Sequence, residues 1–225
     1  MGENSIMEKI IIYGNGDFAK QIYWYFKSDT SFDVVAFCAD KKYISDKEIY
    51  GLKVYEFETI EKDFKIDSFK MFVAIGYGNM RAREHMFNKA KNKGYDLVSY
   101  VSSKAILSPN IKLGENNAIL HGVIIEPNAQ IGNNNIIWSS VVVCHDSKIG
   151  NHNFIAAGTI IGGFTRIEDL CFIGFNSTIL QNLHILNESL IGAKSLQLSN
   201  TVNCSKWIGS PSKMLGYHQE GIKIS

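Results

Sequence analysis

The sequence predicts two kinds of fold in one chain: an α/β domain with a small parallel sheet, followed by a solenoid of very short strands. Two observations predict this arrangement. Aliphatic residues recur at every sixth position from Leu107 to Ile191, and a glycine-rich segment joins a strand to a helix after Tyr13. We expect residues 1–100 to form the first domain and residues 101–225 the second.

The repeat is strict. Counting in sixes gives fifteen aliphatic residues without a break, at 107, 113, 119, 125, 131, 137, 143, 149, 155, 161, 167, 173, 179, 185 and 191. Small or hydroxylated residues often stand two places earlier, and glycine often follows. A period of six matches neither a helix nor a flat half-buried strand. It favours coils of three short strands, and five coils at about 4.8 Å each would form a prism roughly 24 Å tall.

The N-terminal segment has a different pattern. A strand at residues 9–13 leads into Gly14, Asn15, Gly16 and Asp17, and then into a helix with apolar residues at Phe18, Ile22, Tyr25 and Phe26. This G-x-G-x-x-A arrangement lets the backbone and the helix N-terminus approach a diphosphate.

Two further strands are expected in the same domain, at residues 34–39 and 70–75. The first ends at Asp40, where such folds place a ribose-binding acid, and the second runs into FVAIGYGNMR, with Gly76, Asn79 and Arg81. Three strand ends at one sheet edge indicate a nucleotide site. About 95 residues precede the repeats, whereas a dinucleotide-binding fold needs about twice this sheet, so we expect a mononucleotide or nucleotide sugar instead of NAD.

Composition excludes other classes of partner. The chain has 23 basic and 22 acidic residues and a net charge of +1, which gives no electrostatic basis for binding nucleic acid or an anionic membrane. The start, MGENSIMEKIIIYG, lacks the apolar run of a signal peptide or membrane helix. We expect a cytoplasmic protein whose four scattered cysteines are free thiols.

The hexad pattern resembles the left-handed β-helix acyltransferases with hexapeptide repeats. Together with the small Rossmann-like domain, it is similar to the bacterial nucleotide-sugar N-acyltransferases, and sialic-acid-type O-acetyltransferases share the layout. The resemblance implies an acyltransferase that moves an acetyl group from acetyl-CoA, or another acyl group, to the amine of a nucleotide-linked amino deoxysugar. It also implies a homotrimer, with the cofactor in the groove between subunits.

The same resemblance assigns catalytic residues. The family's His-Asp or His-Glu pair, which precedes a hexad Ile-Gly, falls on His145 and Asp146. Histidine suits a general base because its ordinary pKa of about 6.5 lies near operating pH. His145 comes two residues after the inward Val143, so we expect it to project from a turn. Asp146 would orient it or stabilise its protonated form, although neighbours at a tight turn need not meet.

The family's second histidine, nine residues after the first, is replaced by Phe154, so that an acyl chain larger than acetyl stays open as an alternative at the thioester end of the cofactor. Acyl-CoA is expected along small residues of the later coils and along the segment WIGSPSK, where Lys213 would supply charge to a phosphate. The remaining cofactor residues implied by the resemblance are Ala157, Gly158, Gly162, Gly174, Gly209 and Pro211.

Three alternatives compete with this interpretation, and spacing argues against the first. A zinc site like that of the γ-class carbonic anhydrases would use His121, His145 and His152, but the second and third are seven residues apart instead of five, so we expect no metal. The acceptor could be a sugar hydroxyl, as in sialic acid O-acetylation. A β-helix that only binds or assembles is the third alternative, in which His145 is a solvated turn residue.

Overall fold

The computed structural model of the protein describes residues 7–224. The first six residues of the MGENSIMEKIIIYG stretch lie outside the described residues, as does residue 225. Internal contacts divide the chain into two units, residues 7–76 with 86–98, and residues 77–85 with 99–224. The division lies two residues before the boundary that we expected, and residues 77–85 group with the second unit. Within residues 7–224, no helix has the length and apolar content needed to cross a bilayer.

The first unit is built on a twisted sheet of β1 (Lys9–Tyr13), β2 (Asp33–Ala39), β3 (Glu48–Ile49), β4 (Leu52–Glu56), β5 (Lys70–Val73) and β6 (Asp96–Leu97). Within the described residues the strand order is β3-β4-β2-β1-β5-β6, and the pairs are parallel except for the β3–β4 hairpin. The α/β prediction is therefore confirmed, and the three predicted strands are neighbours in the sheet.

Two helices accompany this sheet, α1 (Asp17–Asp29) and α2 (Met80–Lys93), and the division between the units falls inside α2. The buried stripe of α1 consists of Ala19, Ile22, Tyr23 and Phe26. These positions follow the i, i+3, i+4, i+7 spacing of one helix face. Phe18 and Tyr25, which we expected on that face, are only half-buried because they lie together along one edge of the stripe.

The second unit is a left-handed parallel β-helix with three faces. Face 1 contains β7 (Tyr100–Val101), β10 (Ala118–Ile119), β13 (Ile136–Ile137), β16 (Phe154–Ile155), β19 (Phe172–Ile173) and β22 (Leu190–Ile191). Face 2 contains β8 (Ile106–Leu107), β11 (Ile124–Ile125), β14 (Val142–Val143), β17 (Ile160–Ile161), β20 (Thr178–Ile179) and β23 (Leu196–Gln197). Face 3 contains β9 (Lys112–Leu113), β12 (Gln130–Ile131), β15 (Lys148–Ile149), β18 (Arg166–Ile167) and β21 (His184–Ile185).

Each strand pairs in parallel with the strand one coil later, so that Ile125 pairs with Val143 and Val143 with Ile161. The second residue of each strand points inward, and these side chains form one continuous aliphatic core. The hexad prediction is therefore confirmed, because a residue repeated every sixth position is brought to the interior of every face.

The aliphatic repeat in the sequence ends at Ile191, but β23 keeps the register one step further, at Gln197. Gln197 is fully buried, its Nε2 donates to the Ser199 carbonyl at 2.7 Å, and its Oε1 accepts from the Ser212 hydroxyl at 2.6 Å. A buried polar side chain that is hydrogen-bonded can take an interior position. The repeat closes later, with β24 (Ser205–Ile208) and the antiparallel β25 (Lys213–Tyr217).

Candidate active site

His145 lies in the column of turns that links face 2 to face 3, which we call edge 2–3 and which includes residues 126–129, 144–147, 162–165 and 180–183. Its side chain is half exposed. Nδ1 of the ring lies 2.9 Å from Oδ2 of Asp146. The two adjacent residues meet because Asp146 has a φ of 58°, which turns the chain sharply. The predicted outward direction of His145 and its contact with Asp146 are therefore both present.

The preceding coil holds this turn. The backbone N–H of His145 donates to Oε2 of Glu126 at 2.9 Å, and Asn128 Nδ2 donates to Oδ1 of Asp146 at 3.2 Å. Glu126 also reaches the neighbouring thiol: burial raises the pKa of Cys144, and Glu126 raises it further. Cys144 is therefore held as the neutral thiol, which is a poor nucleophile.

The following coil lies against the other side of the imidazole. A Cβ atom at Gly163 would stand 3.0 Å from both Cε1 and Nε2 of His145, so a side chain at this position would crowd the ring. The Phe164 ring packs perpendicular to the imidazole, with centroids 5.1 Å apart. The sequence did not single out Glu126, Gly163 or Phe164, although adding the coil length of 18 to position 145 gives Gly163.

This geometry defines what the histidine can do. A carboxylate beside Nδ1 favours the tautomer that carries its proton there, which leaves Nε2 as the basic nitrogen. The same carboxylate stabilises the imidazolium that forms when Nε2 accepts a proton. Edge 2–3 therefore presents a half-exposed imidazole whose Nδ1 is held by the Asp146 carboxylate, an arrangement suited to proton transfer at Nε2.

In the first unit, the G-x-G-x-x-A segment has the expected turn between β1 and α1. Gly14 has a φ of 146°, and a Cβ there would lie 2.5 Å from the Ala74 carbonyl oxygen, so a side chain cannot fit. Gly16 precedes Asp17 as the N-cap of α1, and no atom lies within 4 Å of where its Cβ would be. Asn15 donates to the Tyr43 carbonyl at 2.7 Å. The helix N-terminus at Gly16 is thus open to an anion.

Asp40 lies at the end of β2 as predicted, but its Oδ1 is already engaged. It accepts from the Tyr13 hydroxyl at 2.5 Å and from Lys89 Nζ at 2.7 Å. Burial by itself raises the pKa of Asp40, but the hydrogen bonds from Lys89 and Tyr13 outweigh this effect and hold the pKa below its ordinary value. Asp40 is thus a nearly buried carboxylate in an ion pair.

The FVAIGYGNMR segment is split between the units. Gly76 belongs to the first unit, whereas Asn79 and Arg81 belong to the second. Asn79 Oδ1 accepts from the Ala82 N–H at the start of α2, and Arg81 forms an ion pair with Glu188 at 3.0 Å. Both side chains therefore have structural partners within the second unit.

Phe154 is buried on face 1, where its ring stacks on Phe172 with centroids 5.1 Å apart and lies under Tyr77. The structure does not bring this side chain to His145 on edge 2–3, and packing within the chain accounts for it.

The predicted cofactor residues are placed as follows. Ala157, Gly158 and Gly174 lie in the turns between faces 1 and 2, whereas Gly162 precedes Gly163 on edge 2–3. A Cβ at Gly162 or Gly174 would stand 2.5 Å from a backbone nitrogen of the next coil, so coil stacking alone requires glycine there. The turn between β24 and β25 contains Gly209 and Pro211, and Lys213 begins β25.

The three histidines considered for zinc lie in three different columns of turns: His121 between faces 1 and 2, His145 between faces 2 and 3, and His152 between faces 3 and 1. Among residues 7–224, no group of three or more His, Cys, Asp or Glu side chains could hold a metal ion. The four cysteines are free thiols.

Comparisons with known proteins agree with this architecture. Residues 9–90 match the PglD N-terminal domain, and residues 110–145 and 146–181 match the bacterial transferase hexapeptide family. PerB from Caulobacter crescentus, solved with CoA and GDP-perosamine, is 25% identical, covers 92% of this chain and 97% of its own, and gives a TM-score of 0.83.

Two further structures share the fold. The acetyltransferase domain of PglB from Neisseria gonorrhoeae, solved with acetyl coenzyme A, is 18% identical over 93% of this chain and 100% of that chain, with a TM-score of 0.80. WeeI from Acinetobacter baumannii is also 18% identical, over 92% of this chain and 99% of that chain, with a TM-score of 0.64.

The fold and the two domain matches define an acyl-CoA-dependent N-acyltransferase of the hexapeptide-repeat class. Within that class, the chain belongs to the nucleotide-sugar N-acetyltransferases with a PglD-type N-terminal domain. The resemblance, the fold class and the acyl-CoA dependence predicted from the sequence are confirmed.

Proposed function

We propose that the protein transfers an acetyl group, or another acyl group, from acyl-CoA to the amine of a nucleotide-linked amino deoxysugar, with His145 as general base. The observation that carries this proposal is the 2.9 Å contact between Nδ1 of His145 and Oδ2 of Asp146. This contact leaves Nε2, beside which Gly163 places no side chain, to accept a proton.

The reaction follows by direct attack. The neutral amine attacks the thioester carbonyl carbon, a C–N bond forms, and the carbonyl oxygen becomes an oxyanion. The proton released from the amine passes to Nε2 of His145, and Asp146 stabilises the resulting imidazolium. When the C–S bond breaks, the CoA thiolate leaves and takes up that proton. No covalent enzyme intermediate is formed.

Two observations support a nucleotide-linked amino sugar as the acyl acceptor. The open N-terminus of α1 after Gly14 and Gly16 can take the diphosphate of a sugar nucleotide. PerB was solved with GDP-perosamine, a nucleotide-linked amino sugar, and this supports nitrogen over oxygen as the acceptor atom. Acyl-CoA binding at Gly209, Pro211 and Lys213, and a cytoplasmic location, remain predictions from the sequence.

We also propose that the protein assembles as a homotrimer through face 2. The outward residues of face 2 are Ile106, Ile124, Val142, Ile160, Thr178 and Leu196. Ile106 is 64% exposed and Ile160 is 44% exposed, whereas the outward residues of face 3 include Lys112, Lys148 and Arg166. Five of these six residues are aliphatic, two are exposed and four are half-buried, and an apolar column of this kind on one face is typical of a surface covered by another protein.

The test is an assay of free CoA. Purified protein is incubated with acetyl-CoA and a panel of dTDP-, UDP- and GDP-linked amino sugars, each paired with the corresponding hydroxy sugar, and the products are identified by mass spectrometry. We expect CoA release and an N-acetylated product with at least one amino sugar. Release with hydroxy sugars alone would favour O-acetylation, and an absence of release with acetyl-CoA and longer acyl-CoA donors alike would contradict the proposal.

A further inference from the structure

Phe164 departs from the residue type of its column. The turns of edge 2–3 place one residue per coil in the left-handed backbone region: Asn128 at a φ of 63°, Asp146 at 58°, Phe164 at 60° and Asn182 at 61°. Asn and Asp adopt this conformation readily, whereas a bulky aromatic residue does so at a cost. The coil geometry requires this conformation at position 164, but it does not require phenylalanine.

Burial does not account for this aromatic residue either. Phe164 is 57% exposed, so much of its apolar surface faces solvent. Its backbone N–H donates to the His145 carbonyl at 3.1 Å, and its ring stands at 88° to the imidazole. An exposed ring in an unfavourable backbone conformation is therefore held directly beside the proposed base.

We infer that Phe164 is a specificity-determining residue that packs against the C–H face of the pyranose that carries the reacting amine. This inference rests on the proposed function. Nε2 of His145 lies on the side of the ring that faces Gly163, the residue before Phe164. An amine within about 3 Å of Nε2 has its sugar carbons one or two bonds further on, within van der Waals reach of the Phe164 ring.

The chemistry of the contact favours the sugar. Ligand sites combine a few polar groups that fix orientation with aromatic surfaces that supply affinity. Here His145 and Asp146 supply the polar groups, and Phe164 supplies the apolar surface. Because a pyranose has an apolar C–H face next to its amine-bearing carbon, the ring can hold the acceptor while leaving the nitrogen directed to Nε2.

The test compares Phe164→Asn with the wild type. Asparagine is the residue of the same column at positions 128 and 182, so the variant should fold with a melting temperature no lower than that of the wild type. Tyr50→Asn is the matched control, because Tyr50 is also an exposed aromatic residue in the left-handed region, with a φ of 52° and 48% exposure, and it belongs to the first unit whereas His145 belongs to the second.

We expect Phe164→Asn to raise the KM for the amino sugar about tenfold, which corresponds to about 1.4 kcal/mol of binding. The KM for acetyl-CoA and the pH dependence of kcat should stay as in the wild type, and Phe164→Leu should recover part of the loss. Tyr50→Asn should leave all of these parameters unchanged.

Two results would overturn the inference while leaving the proposed function intact. One is a Phe164→Asn variant whose sugar KM stays within twofold of an active wild type. The other is a change confined to the KM for acetyl-CoA, which would assign the ring to the acyl donor. An inactive wild type with every amino sugar and every acyl donor would overturn both proposals together.

Discussion

Nδ1 of His145 lies 2.9 Å from Oδ2 of Asp146, the next residue in the chain. Side chains of adjacent residues usually point apart in a strand. They meet here because Asp146 takes the left-handed conformation that also occurs at Asn128, Phe164 and Asn182 in the same column. The contact between the proposed base and its neighbour is therefore a product of the β-helix turn itself.

Replacing either member of this pair should reduce catalysis. His145→Ala removes the proton acceptor, so kcat should fall by about 10² or more. Asp146→Asn keeps a residue suited to the turn and removes the charge that stabilises the imidazolium, so we expect a smaller loss of about tenfold. Both values come from the rate of CoA release at saturating acetyl-CoA.

Asn182→Ala is the control for this pair, because it alters the same column two coils away and should leave kcat unchanged. Wild-type kinetics for His145→Ala would instead identify His145 as a solvated turn residue and remove it from the mechanism.

Glu126 should act as a positioning residue for His145. Its Oε2 accepts the His145 backbone N–H at 2.9 Å. Glu126→Ala loses this acceptor and should lower kcat about tenfold, because the turn is no longer fixed against the preceding coil. Glu126→Gln keeps a carbonyl oxygen for the same hydrogen bond and should recover most of the activity.

The comparison of these two variants separates positioning from charge. If Glu126→Gln is as impaired as Glu126→Ala and shifts the pH profile of kcat, the carboxylate acts on His145 through its charge instead of through the hydrogen bond.

A feature of this protein could be predicted from the sequence when the residues that form it are close together along the chain. The hexad repeat predicted the faces and the core of the β-helix, because every sixth residue points into the interior in each coil. The contact between His145 and Asp146 involves adjacent residues, so the sequence could propose the pair, and its catalytic role stays a prediction. Glu126, Gly163 and Phe164 were missed because they reach His145 from neighbouring coils, across strand stacking and not along the chain.

The N-terminal unit shows the same division. Gly14 was recognisable in the sequence because its φ of 146° is a backbone conformation that favours glycine, whereas Gly16 has a φ of −85° and open space around it, so its glycine is not required by the backbone. The engagement of Asp40 with Lys89 depends on where α2 packs, which the pattern of strand ends does not specify. Likewise, no local signal places Arg81 on Glu188, more than 100 residues away.

His152 should make the stability of the protein depend on pH. Its Nδ1 accepts from Asn134 Nδ2 at 2.9 Å, so the neutral ring is the form that fits. Burial, assisted by the charge of Arg83 and opposed by Asp169, lowers the pKa of His152 to about 4. In the unfolded chain the pKa is about 6.5, so below that pH the unfolded state binds the extra proton.

Stability from this group is therefore fully present above pH 6.5 and declines as the pH falls from about 6.5 to about 4, by about 3 kcal/mol at most. In His152→Asn the new asparagine stacks in line with Asn116 and Asn134, which are hydrogen-bonded to each other, and it suits the φ of 61°. This variant should therefore fold, and its free energy of unfolding should no longer fall with pH in this range. Urea denaturation at several pH values measures this free energy. His85→Asn, at an exposed position, should keep the decline, and an unchanged slope in His152→Asn would contradict the assignment.

The outward residues of face 2 should determine whether the protein forms a trimer. Ile160→Lys places a charge in the middle of the exposed aliphatic column, where burial against another subunit would strand it without a partner. We expect the wild type to sediment as a trimer and this variant as a monomer that retains its β-helix by circular dichroism. Lys112→Glu changes a charge on face 3 and should leave the trimer intact.

The Ile160→Lys variant also tests where the cofactor binds. If acyl-CoA lies between subunits, as the resemblance implies, this variant should also raise the KM for acetyl-CoA. A fully active monomer would show that each chain carries a complete site.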